Sequence, residues 1–415
     1  MRWSALALVA AAAVLGQAAA TDWHLSVDQL TRGPAHHFFG YIGHARTIPW
    51  SGDGRRVLAL RTTFQDHMPD AADAADVVVI DTSAGNRVDR VEQSRGWNPQ
   101  QGTMFYWNPA ADSSQFFFND RDAGTGKVFA VLYDLEARRR AREYRFDATP
   151  VGNSGVAQRG GRFLAINYGR LARLRRVTGY LDAHDYTAGV LHPTDDGIHL
   201  VNVADGQRRL LVSYAQLATL LRPVRPDVDR KALFINHTLW SRDDSHIYFY
   251  VRAEFDNPQE RIDIPCTIRP DGTGLTMHEH LGGHPEWRDG TRMIGVKDGR
   301  QVVYDVTSRR VVDTIGGPGA FPQPGGDIAL SPDSRWFVNG HSVGGMNGYT
   351  VLRLADGTWA RTAEMTRGAF ASGDLRIDGS PAWNRRSDAF LFPGLDPKDG
   401  TRQIFVAHVA AGRPR

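Results

Sequence analysis

One pattern of apolar and polar residues recurs along the chain, and its clearest copy spans residues 282–296. A glycine turn leads to His284, a short segment anchored by Trp287 follows, and a polar Asp-Gly turn precedes a second apolar segment at 293–296. Apolar runs on either side of an Asp-Gly turn predict a β-hairpin. The pattern therefore predicts short antiparallel strands rather than helices.

Seven copies of this aromatic-anchored pattern occur, at residues 48–60, 105–118, 161–166, 240–250, 287–296, 331–338 and 383–392. Seven copies of a second pattern, apolar segments around a short turn, alternate with them, at residues 77–85, 128–134, 198–206, 268–272, 302–305, 349–357 and 404–407. Two hairpins in each repeat of about 45 to 55 residues are typical of a four-stranded propeller blade. We therefore predict an all-β protein, a seven-bladed β-propeller of four-stranded blades.

Residues 1–20 are predicted to be a secretory signal peptide. Arg2 precedes an apolar run that is short for a membrane span, and small residues at 18–20 fit a cleavage site. Residues 21–415 are predicted to form a single propeller domain with an insert around residues 181–230. We therefore expect a periplasmic or secreted monomer without a membrane span.

Composition narrows the choice of partners. The chain has 49 Lys and Arg against 46 Asp and Glu, for a net charge of +3, and these charges are mixed along the sequence. A nucleic-acid-binding surface needs clustered positive charge, so we expect no nucleic-acid partner. The single cysteine, Cys266, cannot form an internal disulfide, so the fold depends on its hydrophobic core.

The candidate chemistry lies beside the predicted inner strands. The inner strands of a propeller line its central channel, so polar residues next to them can converge at one mouth. Such residues are His36, His37, Tyr41, Gln101, Arg170, His237, His284, Asp327, Arg376 and Asp378. Each of them, taken singly, also has a structural explanation: histidines bond neighbouring loops, aspartates cap turns, and arginines lie on surfaces. Convergence in one site is what a functional set requires.

Two motifs resemble known propellers. The sequence from Trp240 to Asp243, with its Trp-Ser-x-Asp pattern, is similar to the repeats of TolB-type propellers. The order of polar positions resembles the oligogalacturonate lyases, and residues 284–290 resemble the motif that carries the catalytic base in that family. The resemblance implies a seven-bladed propeller that cleaves short pectic oligosaccharides by β-elimination with a divalent metal.

The resemblance also implies roles for individual residues. His284 matches the catalytic base, and His237 matches a histidine in the preceding blade. Asp327 stands where the family has a metal-ligand histidine, and Asp378 lies in the stretch that replaces the family's last ligand run. Carboxylates bind hard cations through oxygen, so the implied metal is Mn²⁺ or Ca²⁺.

The chemistry of elimination explains these residue types. A base must remove a weakly acidic proton beside the carboxylate of a uronate, and neutral histidine suits that task. A cation must neutralise the charge that develops, which assigns this role to Arg376, Arg170 or a metal on the two aspartates. His237 is then a second catalytic group, either as a second base or as the leaving-group acid. The predicted substrate contacts are His36, His37, Tyr41, Gln101 and Arg170.

Two functions stay open from the sequence. The first is an exported lyase that acts on uronate-containing, pectic-like oligosaccharides. The alternative is a non-catalytic TolB-like propeller that binds a protein or glycan partner at its channel mouth. A hydrolase ranks last, because no pair of catalytic carboxylates is evident in the sequence.

Overall fold

The structure is a computed structural model that describes residues 22–40 and 49–412. The predicted signal peptide and the predicted substrate contact Tyr41 lie outside the described residues. No helix among the described residues is both long and apolar enough to cross a membrane.

Short strands make up most of the secondary structure. In chain order they are β1 (Trp23–Gln29), β2 (His36–Phe38), β3 (Arg56–Thr62), β4 (Ala75–Asp81), β5 (Arg87–Ser94), β6 (Tyr106–Trp107), β7 (Gln115–Arg121), β8 (Val128–Asp134), β9 (Arg139–Tyr144), β10 (Gly152–Val156), β11 (Arg162–Ile166), β12 (Gly197–Asn202), β13 (Arg208–Ser213), β14 (Phe234–Trp240), β15 (Ile247–Ala253), β16 (Ile262–Ile268), β17 (Thr276–Met277), β18 (Gly282–Trp287), β19 (Arg292–Lys297), β20 (Arg300–Asp305), β21 (Arg310–Thr314), β22 (Asp327–Leu330), β23 (Trp336–Val343), β24 (Met346–Arg353), β25 (Trp359–Arg361), β26 (Met365–Thr366), β27 (Ala382–Trp383), β28 (Ala389–Leu395) and β29 (Arg402–Ala411). The helices are α1 (Tyr168–Leu174), α2 (Tyr214–Leu221) and short 3-10 turns at Thr82–Ala84, Arg176–Thr178, Pro226–Arg230 and Gly368–Phe370.

The strands form antiparallel sheets of the propeller type. Four sheets follow the chain in order: β2 to β5, β6 to β9, β10 to β13 and β14 to β17. A fifth four-stranded sheet has the order β1-β29-β28-β27, so the first of the described strands completes the last blade. Its outer pairing runs from Trp23 opposite Ala411 to Gln29 opposite Phe405. The first and last of the described strands are thereby joined in one sheet.

The prediction of seven separate four-stranded blades is wrong. The described residues contain five four-stranded blades, and the strands expected to form two further blades lie in one sheet of nine strands. Its order is β21-β20-β19-β18-β22-β23-β24-β25, with β26 paired to β24. The junction is the parallel pairing of His284 on β18 with Asp327 on β22.

Two glycines allow the backbones to approach closely at this junction. Gly283 and Gly326 both adopt positive φ, at 75° and 104°. A Cβ on Gly326 would lie 2.1 Å from the carbonyl oxygen of Gly340, and one on Gly283 would lie 2.9 Å from that of Gly326. Without side chains the two backbones approach closely enough for the His284 N–H to donate to the Gly326 carbonyl at 3.1 Å.

The recurring tryptophans connect neighbouring repeats. Five of them donate the indole N–H to a backbone carbonyl of the preceding repeat: Trp50 to Ala382, Trp107 to Pro49, Trp240 to Gly155, Trp287 to Leu239 and Trp383 to Ala329, at 2.8 to 3.3 Å. All five side chains are buried. A buried carbonyl needs a hydrogen-bond partner, so each tryptophan both fills the space between sheets and satisfies one backbone group.

The recurring Ser-x-Asp motif is a turn. In three copies the serine hydroxyl donates to the aspartate, which also accepts the backbone N–H two residues further on: Ser51 with Asp53, Ser241 with Asp243 and Ser331 with Asp333. This local network fixes the tight hairpin after each aromatic strand. The motif that resembles TolB-type repeats therefore has a structural role, which is to form this turn.

Loss of one indole hydrogen bond should measurably destabilise the propeller. Trp240→Phe keeps an aromatic ring but leaves the Gly155 carbonyl without its donor, so we expect the free energy of unfolding to fall by about 1–3 kcal/mol. Urea unfolding measures it. Trp359→Phe, on the outer strand β25, is the control and should cost less. Equal losses in the two variants would contradict the role given to the indole hydrogen bond.

Candidate functional site

A cavity of about 310 Å³ lies where the inner strands of several sheets end. Its lining residues are Gln100, Gln101, Arg175, Thr178, Asn236, His237, Arg252, Phe255, Arg261, Asp263, His280, Gly283, His284, Arg376 and Asp378. Five of the sequence-predicted site residues are among them: Gln101, His237, His284, Arg376 and Asp378. The predicted convergence therefore holds for these five positions.

Asp327 lies behind His284, where it positions the imidazole. One oxygen of its carboxylate is hydrogen bonded to Nδ1 of His284, and the other accepts the backbone N–H of Ser380 at 2.7 Å. The Asp327 side chain is only 3% exposed, whereas that of His284 is 33% exposed. The arrangement is a buried acid that orients a histidine at the cavity wall.

The pair shifts both pKa values. Burial lowers the pKa of His284, but the charge and hydrogen bond of Asp327 outweigh it and raise this pKa above its ordinary value. Burial acts to raise the pKa of Asp327, and the His284 charge nevertheless holds it below its usual range. His284 is thus a stronger base than an ordinary histidine.

His237 enters the same cavity from a β-bulge. The pairing of β14 with β15 shifts register between Asn236 and Leu239, and His237 adopts a positive φ of 55°. Such strain in a residue other than glycine is concentrated at functional sites. Its ring lies 5.1 Å from the ring of His284, centre to centre.

The two histidines have opposite protonation preferences. Burial, and then the charge of His284, push the pKa of His237 well below its ordinary value. His237 is therefore neutral where His284 still holds a proton. Neighbouring groups with pKa values driven apart are the arrangement that acid–base catalysis uses.

Arg376 and Asp378 face the cavity as an ion pair. Nε of Arg376 lies 2.9 Å from one Asp378 oxygen, and Nη2 lies 3.3 Å from the other. Burial and the nearby Asp327 raise the pKa of Asp378 above its ordinary value. Arg376, the predicted neutralising cation, therefore lines the cavity with a carboxylate of the protein beside it.

The two aspartates do not fit a divalent cation as they stand. Both oxygens of Asp327 are taken by His284 and Ser380, and both oxygens of Asp378 are taken by Arg376. Among the described residues no group of three or more His, Cys, Asp or Glu side chains is arranged to hold a metal ion. A cation at this place would first have to displace those donors.

Three predicted substrate contacts, Arg170, His36 and His37, are not among the residues that line the cavity. Arg170 is fully buried, and its guanidinium donates to the carbonyls of Leu233, Val190 and Leu191 at 2.6 to 3.0 Å. It is held by backbone groups of the loop around residue 190 and of the strand β14 region, so it does not fit contact with a substrate.

His36 and His37 hold the first and last blades together. Nδ1 of His37 lies 3.0 Å from the side-chain oxygen of Gln403, and Nδ1 of His36 accepts the Arg402 N–H at 3.1 Å. Burial lowers the pKa of both histidines. Their environment is that of structural histidines between β2 and β29, away from the cavity lining.

The cavity also contains residues that the repeat pattern did not indicate: Arg175, Arg252, Phe255, Arg261, Asp263 and His280. They come from the end of α1, from the hairpin formed by β15 and β16, and from the segment before β18. One signal was present, since Arg252 and Asp263 lie opposite each other in that hairpin and pair at 2.7 Å. A charged cross-strand pair at the end of an otherwise apolar hairpin marks a polar surface.

Comparisons with known proteins complete the description. No protein-family model matches the chain, and no curated protein matches its sequence. Among solved structures, the chain is similar to the β-propeller domain of Cps50 (Swd1) from Myceliophteria thermophila, at 12% identity with a TM-score of 0.48. The match covers 91% of this chain and 100% of that chain.

The His284–Asp327 pair should make stability depend on pH. The raised pKa of His284 contributes stability below its ordinary 6.5 and loses it as pH rises through the folded value. The lowered pKa of Asp327 contributes above its ordinary 3.8 and loses it as pH falls. The pair is therefore most stabilising between these two ordinary values.

Asp327→Asn should remove this dependence. The difference in unfolding free energy from the natural chain should be largest between pH 3.8 and 6.5 and should narrow above that window. Denaturant unfolding at a series of pH values measures it. Asp28→Asn, which alters an exposed pair with His408, is the control. A constant difference across all pH values would contradict the assignment.

Proposed function

We propose that this protein is a lyase that cleaves uronate-containing oligosaccharides by β-elimination. The observation that carries the proposal is the buried His284–Asp327 pair at the wall of a cavity that four arginines also line, namely Arg175, Arg252, Arg261 and Arg376. A base held by a carboxylate, in a cavity rich in cations, suits proton removal from an anionic ligand.

His284 is the proposed proton acceptor. Its Nδ1 is engaged by Asp327, so proton transfer with a ligand goes through Nε2. As the imidazole gains a proton it becomes a cation, and the Asp327 carboxylate beside it stabilises that charge. In the elimination, the electron pair of the broken C–H bond forms the new double bond. The bond to the neighbouring glycosidic oxygen breaks with its electron pair on that oxygen, which takes a proton from water.

Arg376 is the proposed partner of the ligand carboxylate next to that proton. Its present partner is Asp378, whose pKa is raised by burial and by the charge of Asp327. The ionised form of Asp378 is therefore less favourable than that of an ordinary aspartate. A uronate carboxylate in the cavity competes for the same guanidinium. Exchange of partners would place a positive charge where the enolate-like charge develops.

The second candidate is a non-catalytic propeller that binds a protein or glycan at the same cavity. The pairing of Arg376 with Asp378 favours it, because the cation needed for elimination is already engaged. In that case the arginines and histidines supply binding, and no bond of the ligand changes.

His284→Ala should abolish product formation if the chain is a lyase. The assay follows the ultraviolet absorbance of unsaturated uronate, with residues 21–415 and a panel of acidic oligosaccharides. Parallel samples contain Mn²⁺, Ca²⁺ or chelator. We expect a rate loss of at least about 100-fold, as for removal of a general base.

His408→Ala is the matched control, because His408 lies half exposed on β29 and pairs with Asp28 at the surface. It should leave the rate unchanged. Binding of the oligosaccharides without any absorbance change would replace the lyase by the binding propeller. Product formation that survives His284→Ala would exclude His284 as the base.

The acidic limb of the pH profile should report His284. Only the neutral imidazole can accept a proton, so kcat/KM should fall as pH is lowered through its pKa, which lies above the ordinary 6.5. In Asp327→Asn, burial lowers this pKa without the opposing carboxylate, so the limb should move to lower pH. A limb that stays in place in this variant would contradict the assignment.

A further inference from the structure

Three arginines converge on one phenyl ring at the side of the cavity. The guanidinium carbons of Arg175, Arg252 and Arg261 lie 4.6, 4.5 and 4.4 Å from the ring centre of Phe255. Phe255 is in the turn between β15 and β16, and all four residues line the cavity. We call these four residues the arginine cluster.

The cluster carries more positive than negative charge. Arg252 pairs with Asp263 at 2.7 Å, but Asp263 also accepts from His280 at 3.1 Å. Arg175 pairs with Asp256, whose side chain is 77% exposed. Within residues 22–40 and 49–412, no carboxylate pairs with Arg261. Two carboxylates, one of them shared, therefore face three guanidinium groups and a histidine.

The guanidinium groups are held in place before any ligand arrives. Nε of Arg261 donates to the Phe255 carbonyl at 2.8 Å, and Arg225 in turn donates to the Arg261 carbonyl at 2.6 Å. Arg252 also lies over the ring of Tyr250, at 4.2 Å. Arginines fixed in this way present forked donors whose spacing matches the oxygens of a carboxylate or sulfate.

We propose that the arginine cluster is an oxyanion-binding subsite that takes a second anionic group of the ligand, apart from the group at His284 and Arg376. This inference rests on the proposed function and adds to it that the ligand carries at least two anionic groups and spans the cavity. The cluster is formed by Arg175 at the end of α1 and by the hairpin of β15 and β16, whereas His284 and Asp327 lie on the nine-stranded sheet. The second anion is a carboxylate or a sulfate ester on a neighbouring sugar.

A purely structural role makes a different prediction. If the arginines only pack on the ring, Phe255→Leu and Arg261→Gln should lower the melting temperature and leave ligand binding unchanged. If the cluster is a subsite, Arg261→Gln should change binding with little change in melting temperature, since Arg261 is half-buried and lies at the end of a turn.

The test measures binding by calorimetry in a His284→Ala background, so that no turnover occurs. The probes are galacturonate, digalacturonate, a disulfated disaccharide and inorganic sulfate, all at one low ionic strength. Digalacturonate or the disulfated disaccharide should bind more tightly than galacturonate, and which of the two binds identifies the anion. Arg261→Gln should weaken the tighter probe about ten-fold.

Arg386→Gln is the matched control, because Arg386 is 75% exposed and pairs with Asp388. Unchanged affinities for all probes in both Arg261→Gln and Arg175→Gln would overturn the subsite. Inorganic sulfate that binds in an Arg261-dependent way, with no uronate binding, would support the subsite and reject the proposed substrate. Product formation from uronates by the natural chain, together with affinities in the His284→Ala background that Arg261→Gln does not change, would support the lyase and reject the subsite.

Discussion

The contact between His284 and Asp327 is the constraint on which this site depends. The backbone pairing of β18 with β22 brings the two residues together, and it exists because glycines precede both of them. A nearly fully buried carboxylate is stable only with hydrogen-bond donors, which the imidazole and the Ser380 N–H supply. The same contact joins two groups of strands into one sheet and sets the basicity of His284.

The repeat pattern predicted the strands but not this junction. Strands and the turns between them are determined mainly by residues close together in sequence, so a short repeating pattern of apolar residues can predict them. The Glu286 side chain on β18 also accepts the Leu330 N–H on β22, at 2.6 Å. Such pairings join residues about forty positions apart and depend on backbone approach at Gly283 and Gly326, which hydrophobic periodicity does not encode.

The site was predictable where it is built from residues on the inner strands or just before them. His237 and His284 lie at the positions expected from the repeat and line the cavity. His37 lies at a comparable position, but it is hydrogen bonded to Gln403 and joins two blades instead. Residue type and position alone do not separate these cases, because the difference is whether the imidazole faces the cavity or is buried between two blades. The arginine cluster was missed for another reason: its members lie at the end of α1, at the end of β15 and in the turn that follows β15, where the apolar pattern does not mark them.

The charged residues are distributed unevenly around the cavity, and this distribution restricts which ligands it can bind. Asp327 lies beside His284 and Asp378 beside Arg376, whereas the arginine cluster is built on the end of α1 and on the hairpin of β15 and β16. A ligand with one anionic group would be drawn to the cluster and away from the base. A ligand with two anionic groups, at a separation that matches the cavity, can satisfy the cluster and Arg376 together, and it alone places a carbon-bound proton beside His284.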